Sequence, residues 1–502
     1  MPTMKQNTIG QSDEQRKPLP LPKTSPKPMS DNGQILSVNR KALEINLNPT
    51  IFGSFAEIGG GQEVVRNFFQ AGGASGTVAK SISAYDKRFS DALYCSEKPS
   101  KRYVSRERLE LMLSAEYDEI TSLLADSEKG EIRFFAFADT VSTLNFKKDN
   151  ISHGWMGVKY QLTPQSQPNQ VIIHIRLLEN DSLLQQNTLG ILGVNLLYAC
   201  YFHWQWPNTF LLSLMDNLSP DRLAITMMHM SGPELSYVDN RLLGVQLVKN
   251  GMTNAIMFDQ NGNVQEPDDM LYKTNVLIFR GSFRPVTHVS VDMLKSSFAL
   301  FEKDKDYDRF NTLSLCEITL NNLLQEGSFD ERDFLDRVDV LNEMGQNVMV
   351  SNFREFYKVV NYLSQFRINK FRLVIGIETF VKVMQPKYYA NLRGGIIEAI
   401  GHLFPENVKV YVYPALDQST GKLLTLNELH FPVETVHLFE HLKANRKILD
   451  VPGIYPAFLR IYSHDVLEKI RSGQPGWEND VPAFVAERIK SRRLFGYSEP
   501  TQ

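Results

Sequence analysis

The chain has 502 residues, 42% of them hydrophobic and 11% aromatic, which is enough for two or more globular domains. Its formal net charge is −3, with acidic and basic residues interspersed. This charge balance argues against a strongly basic surface, so we expect no nucleic-acid partner.

The N-terminal segment, residues 1–34, is rich in Pro, Lys, Ser and Gln and has no apolar period. It predicts a disordered, solvated tail without a secretory signal. The most apolar stretch, Leu189–Trp206, carries Asn195, His203 and Gln205, which favours a buried helix over a membrane span. We therefore expect a soluble, cytoplasmic protein with no membrane partner.

The three cysteines, Cys95, Cys200 and Cys316, are far apart in the chain. Their spacing matches neither a zinc site nor a disulfide framework. We predict three buried, reduced thiols and no protein-bound metal.

Residues 35–268 read as a mixed α/β domain of unknown role. Ser105 is expected to cap a helix that runs to about Ala125, and a second helix is expected over Asp239–Lys249. Apolar and β-branched runs predict the strands Gly130–Ala138, Gln170–Leu178, Arg222–Met230 and Asn254–Asp259.

From Thr274 onward, strands and helices alternate. The predicted strands are Asn275–Phe283, Gln346–Asn352, Phe371–Thr379 and Val408–Pro414. The predicted helices are Val291–Phe301, Phe334–Gly345, Phe353–Phe366 and a broken helix over Tyr388–Phe404. The alternation predicts an α/β domain over 269–502 with a doubly wound, parallel, Rossmann-like sheet, which would bind ligands at the carboxyl ends of its strands.

A glycine-led turn follows the first of these strands, with the sequence GSFRPVTH from Gly281 to His288. Such a turn lets backbone N–H groups approach phosphate oxygens, and the helix that follows adds its positive end. The turn resembles the GxFxPxH/TxGH motif of the nicotinate/nicotinamide mononucleotide adenylyltransferases. Gly281, Phe283, Pro285 and Thr287 match, whereas Val289 and Ser290 replace the family's glycine and second histidine.

Two further segments resemble the same family. Gly376–Thr379 stands where the family has its Gly-x-Asp-[Ser/Thr] strand end, with Glu378 at the acidic position. The segment Arg460–Phe495 resembles the family's ISSTxxR ending. Its matches are Ile461, Ser463, Ile470, Gly473, Val481, Pro482, Val485 and Ile489. Tyr462, His464 and Leu467 depart from the pattern, and Arg471 lies one helical turn beyond the expected arginine.

The resemblance implies adenylyl transfer from ATP to a mononucleotide, with Mg²⁺ as cofactor. Such chemistry needs positioning and positive charge rather than a protein nucleophile. The implied catalytic residues are His288, Arg284 and Arg471. The implied nucleotide-binding residues are Gly281, Ser282, Phe283, Pro285, Thr287, Ser290, Gly376, Glu378, Ser463 and His464. Because charged positions of the motifs are replaced, a nucleotide-binding domain that has lost its chemistry, or a non-enzymatic sensor or scaffold, is an equal alternative. A homo-oligomer stays open.

A second candidate site lies in two glycine clusters, Gly59–Gly61 and Gly72–Gly76. Each is expected to precede a helix, VVRNFF or VAKSISAYD, whose N-terminus could hold an anion. The clusters are neither a P-loop nor part of a clear strand-turn-helix unit, so loops and close packing are the simpler interpretation. The site's candidate residues are Glu57, Gly60, Gly61, Gln62, Gly76 and Lys80.

Overall fold

The computed structural model describes residues 35–95, 102–124, 131–324, 327–417 and 420–498. The predicted tail, residues 1–34, lies outside the described residues. Among these residues the chain is a mixed α/β protein with two large sheets, as the sequence predicted, and the second sheet is mainly parallel.

The first sheet has six strands in the order β2-β1-β3-β4-β5-β6. They are β1 (Ile51–Gly59), β2 (Val78–Ile82), β3 (Arg133–Ser142), β4 (His153–Tyr160), β5 (Asn169–Leu177) and β6 (Leu223–Ser231). β1 is parallel to β2 and β3, and the remaining pairs are antiparallel. The predicted strands of this region are confirmed, with ends that differ by one to four residues.

Seven α-helices lie in the described residues of this part of the chain. They are α1 (Val38–Asn46), α2 (Glu63–Ala71), α3 (Lys87–Tyr94), α4 (Arg106–Leu124), α5 (Ser182–Phe202), α6 (Pro207–Ser213) and α7 (Asn240–Lys249). Phe55 of β1 packs on Phe68 of α2, with ring centroids 5.2 Å apart. On the opposite face, Gly157 of β4 lies against Leu109 and Leu113 of α4. The first sheet is thus covered by helices on both faces.

Local side-chain chemistry explains where several of these helices begin. Ser105 Oγ accepts a hydrogen bond from the Arg108 amide at 3.2 Å, as predicted for the start of α4. Asp239 caps α7 in the same way, and Asp181 caps α5. The segment VAKSISAYD, predicted as a helix, instead contains β2, because Val78–Ile82 pairs with the central strand β1.

The apolar helix α5 is buried in the core, as predicted. The amide of Asn195 donates to the backbone oxygens of Leu214 and Asp216 and accepts from the ammonium of Lys41 at 2.8 Å. The side-chain amide of Asn195 is thus fully paired within the protein. Within the described part of the chain, no helix is both long enough and apolar enough to cross a membrane.

The second sheet has eight strands in the order β16-β13-β12-β9-β10-β11-β7-β8. They are β7 (Ala255–Phe258), β8 (Val264–Gln265), β9 (Asn275–Arg280), β10 (Thr312–Thr319), β11 (Asn347–Ser351), β12 (Lys370–Gly376), β13 (Val408–Tyr413) and β16 (Ile448–Asp450). A separate hairpin consists of β14 (Ala415–Leu416) and β15 (Leu423–Leu424). The six strands from β16 to β11 are parallel, and β7 and β8 extend the sheet in antiparallel fashion.

The connecting helices are α8 (Pro267–Leu271), α9 (His288–Phe301), α10 (Leu320–Leu323), α11 (Glu331–Glu343), α12 (Phe356–Ser364), α13 (Ile377–Val383), α14 (Gly395–Leu403), α15 (Val433–Ala444), α16 (Ser463–Ser472) and α17 (Ala483–Arg492). Side chains alternate across β9. Leu277 and Phe279 join the core cluster that includes α9 and α11, whereas Val276 and Ile278 join the cluster of α12 and α14. The second sheet therefore has helices on both faces.

Several expected elements are shorter in the structure, among them β9, which ends at Arg280, and α12, which spans Phe356–Ser364. The strand predicted over Phe371–Thr379 stops at Gly376, because Ile377 begins α13. The broken helix over Tyr388–Phe404 is a 3₁₀ turn at Pro386–Tyr389 followed by α14. β7 and β8 belong to the second sheet although they precede residue 268, and a domain division at that residue stays a prediction.

All three cysteines are buried and free, as predicted.

Candidate functional site

The second sheet reverses its strand order beside β9. The chain leaves β9 toward α9 on one face, and it leaves the neighbouring β12 toward α13 on the other face. Phe279 and Val374 are paired in register, so the turn after β9 and Gly376 at the end of β12 lie side by side. In open α/β sheets a crevice forms at such a switch point, outside the carboxyl ends of the strands.

Gly376 leaves open space at this edge of the sheet. No heavy atom lies within 4 Å of the position that a Cβ on Gly376 would take. The neighbouring Tyr413 of β13 donates its hydroxyl to Asp292 of α9 at 2.5 Å, and the Tyr455 amide donates to the same carboxylate oxygen at 3.1 Å. Glu378 is exposed on the first turn of α13. Gly376 therefore lines the crevice with backbone only, next to the hydrogen bond between Tyr413 and Asp292.

The turn from Gly281 to Thr287 is held in place by packing on the α11 side. Phe283 is buried, has a φ of +49°, and its ring packs edge-on against Phe279 at 5.3 Å. The Gly281 carbonyl accepts from Asn322 at 3.2 Å, and the Ser282 carbonyl accepts from Arg337 at 3.3 Å. These two hydrogen bonds hold the backbone of the turn against α10 and α11. Pro285 and Thr287 are buried as well.

Arg284 faces α11. Its Nε lies 2.6 Å from Oδ1 of Asp333, and both side chains are about one-tenth exposed. Arg337 contacts the second oxygen of the same carboxylate. Asp333 therefore balances much of the charge of Arg284, and the ion pair anchors the turn to α11.

His288 opens α9 at the other end of the turn. Its ring stacks on Phe458 with centroids 5.0 Å apart and planes 10° from parallel. The ring of Tyr455 also packs against Phe458, with centroids 4.8 Å apart. Ser290 lies in the first turn of the helix, where its hydroxyl is 3.3 Å from that of Thr287. The 3₁₀ turn Pro456–Arg460, which directly precedes α16, is thus brought to the start of α9.

The start of α16 carries the remaining residues that the resemblance implied. His464 is mostly exposed and pairs with its neighbour Asp465 at 2.9 Å. Ser463 is half-buried in the same turn. Arg471 lies in the last turn of α16, about 12 Å along the helix axis from Ser463, and it contacts the C-terminal turn at Gly496. The structure brings His288 and Gly376 to the crevice and places Arg284 and Arg471 in contacts with other elements.

Sequence reasoning missed an ion pair at the same edge. Arg280, the last residue of β9, makes a two-point contact with the buried Glu317 of β10, with both distances 2.9 Å. Ser351 of β11 donates to Glu317 at 2.6 Å, and the Arg280 guanidinium lies 4.3 Å from the Phe356 ring centroid. Two charged residues and a serine near the ends of three adjacent strands were the available signal.

The first glycine cluster does lie in a strand-turn-helix unit, contrary to expectation. β1 ends at Gly59 and α2 begins at Glu63. Glu57 of β1 stands opposite Asp139 of β3 in register, and both carboxyl groups are buried. Glu57 accepts a hydrogen bond from the Val65 amide of α2 at 3.2 Å, whereas neither oxygen of Asp139 accepts one.

Burial shifts the pKa values of both Glu57 and Asp139. It raises the pKa of Glu57 to about 8, with a further contribution from the charge of Glu63 and an opposing one from the Val65 amide. Burial also raises the pKa of Asp139 well above its usual value; the charge of Glu57 adds to the effect, and the nearby Ile58 amide opposes it. Gly61 passes directly over this pair, since a Cβ there would lie 1.9 Å from Oδ2 of Asp139.

The remaining candidates of this region lie around the pair or on the other face of the sheet. Gln62 donates to the Gly59 carbonyl at 2.7 Å, and Gly60 lies against Thr143. Lys80 lies 2.8 Å from Glu116 of α4, in a mainly apolar pocket of about 510 Å³ that Phe52 and Ser54 also line. Gly76 lies near the carbonyl of Asn46. Lys80 therefore faces α4, whereas Glu57 faces α2.

The described residues contain no group of three or more His, Cys, Asp or Glu side chains arranged to hold a metal ion. In the crevice, the Asp292 carboxylate oxygen is engaged by Tyr413 and Tyr455. The described residues of the crevice therefore do not provide a set of protein ligands for the Mg²⁺ that the resemblance implied.

Comparisons with known proteins add little. No protein-family model matches the chain, and no curated protein sequence matches it either. A solved structure described as the competence/damage inducible protein CihA from Agrobacterium tumefaciens is similar to part of the chain. It has 15% sequence identity and a TM-score of 0.22, and the match covers 32% of this chain and 92% of that one. A TM-score this low supports no argument about function.

Proposed function

We propose that this chain is a nucleotide-binding protein whose site is the crevice between β9 and β12. The observation that carries the proposal is the open space at Gly376, beside the turn Gly281–His288 and the stacked rings of His288 and Phe458. Aromatic faces bind nucleotide bases by stacking, and a glycine floor lets a ligand approach the backbone closely. The resemblance to mononucleotide adenylyltransferases points to ATP or a mononucleotide as the ligand.

The positions of the positively charged residues favour a protein that binds a nucleotide and catalyses adenylyl transfer slowly or not at all. Adenylyl transfer needs positive groups aimed at the phosphates, and losing one such donor typically costs about 10²–10³ in rate. The family's histidine and arginine positions hold Ser290 and Leu467. Arg284 is paired with Asp333, and Arg471 lies at the far end of α16.

Adenylyl transfer itself is the second candidate, and the position of His288 favours it. His288 lies in the first turn of α9, where the side chain of the N-cap residue Thr287 accepts no hydrogen bond from the backbone amides and the helix has its positive end. Any Mg²⁺ would arrive with the phosphates of ATP, whose developing charge it neutralises. No step of the proposal depends on that ion.

A steric variant tests the proposed site. Gly376→Leu puts a side chain into the open space, and the φ of −71° at this position suits any residue. Gly401→Leu is the matched control, because Gly401 also has no atom within 4 Å of a Cβ and is exposed on α14. Calorimetric titration with ATP, nicotinate mononucleotide and nicotinamide mononucleotide should detect binding to the natural chain and to Gly401→Leu, with loss in Gly376→Leu.

Absence of heat with all three nucleotides would reject nucleotide binding. Undiminished binding by Gly376→Leu would show that the nucleotide binds elsewhere on the protein. Incubation of ATP with either mononucleotide, followed by detection of pyrophosphate and dinucleotide, separates the two candidates. Product formation at an ordinary enzymatic rate supports the transferase, and tight binding without product supports the non-enzymatic protein.

A further inference from the structure

We propose that Glu57 and Asp139 bind a divalent cation beneath the Gly59–Gly61 turn. This site lies on the first sheet and is independent of the proposed nucleotide crevice. The cation would be one that prefers oxygen ligands, such as Mg²⁺ or Mn²⁺.

The two carboxyl groups face each other across adjacent parallel strands. Glu57 and Asp139 are paired in register near the carboxyl ends of β1 and β3, on the face that α2 covers. Their exposed fractions are 2% and 0%. In the described part of the chain, no Lys, Arg or His side chain pairs with either acid. A buried carboxylate without a partner is costly, so the pair needs a positive charge or a proton.

Asp139 supplies the more direct evidence. Both of its oxygens are fully enclosed and have no hydrogen-bond partner within 3.5 Å, although the Ile58 amide lies near the carboxyl group. Most buried polar atoms in proteins have a partner, so two unpartnered oxygens on one carboxyl group indicate a missing ligand. Glu57 is oriented by the Val65 amide, which leaves its second oxygen for the same ligand.

The position in the fold supports a ligand here. The chain leaves β1 toward α2 on one face of the first sheet and reaches β3 through α4 on the other. The carboxyl ends of β1 and β3 therefore form a second switch point, the kind of place where open α/β sheets bind ligands. Two acids at this point disfavour a phosphate and favour a cation.

The coordination chemistry is reasonable for such an ion. Mg²⁺ is commonly bound by one or two carboxylates and completes its shell with water or other oxygens. Gly59–Gly61 passes over the acids so closely that only glycine fits at position 61. The Gly59 carbonyl already accepts from Gln62, and the Gly61 carbonyl accepts from the Val64 amide, so the two carboxyl groups are the protein ligands that this site offers.

The test is direct binding of Mn²⁺ to the full chain after treatment with a chelator, measured by electron paramagnetic resonance and calorimetry. We expect one site per chain, and we expect Asp139→Asn to weaken it at least about tenfold. Asp149→Asn removes an exposed carboxylate and should leave Mn²⁺ affinity unchanged. Glu57→Gln should also weaken Mn²⁺ binding, and this variant replaces Asp139→Asn in the test if Asp139→Asn does not fold.

Crystals soaked in Mn²⁺ should show anomalous density between the two carboxyl groups. Failure of the natural chain to bind Mn²⁺, Mg²⁺ or Ca²⁺ would overturn the proposal and leave a shared proton as the explanation of the pair. Binding that both carboxyl variants retain would equally overturn it.

Discussion

The imidazole ring of His288 lies face to face with the phenyl ring of Phe458, with centroids 5.0 Å apart. The two residues are far apart in sequence, and their contact joins the first turn of α9 to the segment that precedes α16. This stacked pair borders the crevice in which we propose that a nucleotide binds.

Phe458→Ala should weaken nucleotide binding by about tenfold, because stacking of a base on an aromatic ring contributes about 1–3 kcal/mol. Calorimetric titration measures the change. Phe484→Ala, which removes a partly exposed ring from α17, is the control and should leave affinity unaltered. Equal affinities in Phe458→Ala and the natural chain would mean that the base does not use this ring.

Asp333→Asn should destabilise the fold by about 2–3 kcal/mol. The substitution removes the carboxylate that contacts both Arg284 and Arg337 in a nearly buried cluster, and breaking such a pair leaves buried positive charge poorly compensated. Urea unfolding followed by circular dichroism measures the loss. Glu110→Gln breaks an exposed pair with Arg106 and should cost less than about 0.5 kcal/mol. A similar small loss in both variants would contradict an anchoring role for Asp333.

Stability should fall as the pH rises from 7 to 8.5, in part because of Glu266. Burial raises the pKa of Glu266 to about 8, and the charges of Asp268 and Asp269 add to the shift. The folded state therefore keeps a proton that the unfolded state releases near pH 4.5, so this contribution is full at low pH and is lost as the pH passes 8.

The loss from Glu266 alone is about 1 kcal/mol over this window. Urea unfolding at the two pH values measures it, and Glu266→Gln should reduce the pH dependence by that amount. Glu440→Gln, at an exposed position on α15, is the control and should keep the natural slope. An unchanged slope in Glu266→Gln would show that Glu266 is already ionised at pH 7.

Gly61→Ala should destabilise the protein by about 1–3 kcal/mol, because the added methyl group would overlap the carboxyl group of Asp139. Gly401→Ala is the matched control. Its methyl group meets no atom within 4 Å, and alanine is the better helix former in α14, so stability should hold or rise. Thermal unfolding compares the two variants. Tolerance of alanine at position 61 would mean that the turn does not press on Asp139.

The sequence predicted the second sheet well, because its strands β9, β11, β12 and β13 are apolar runs separated by helices of regular period. β10 was missed, since it follows a charged loop and its pairing with β9 and β11 is not local. β2 was predicted as a helix because its five residues carry little periodic signal, and only the neighbouring β1 makes it a strand.

The candidate site was predictable in part. The turn from Gly281 and the strand end at Gly376 follow from the pattern, and they do lie side by side. Phe458 and Asp292 did not stand out, because their places depend on how α9 and the segment before α16 pack. Asp139 was overlooked within an apolar strand. A single acid in such a run was the available signal, and its partner Glu57 is identified only by the register of β1 and β3.

The antiparallel extension by β7 and β8 bears on how the chain can be cut. A fragment that starts at residue 269 would lose both strands and leave the β11 edge of the sheet without a partner. Exposed edges of this kind pair with other chains, so such a fragment would tend to aggregate. Separate expression of the C-terminal half should therefore begin before Ala255, so that the sheet keeps its natural border.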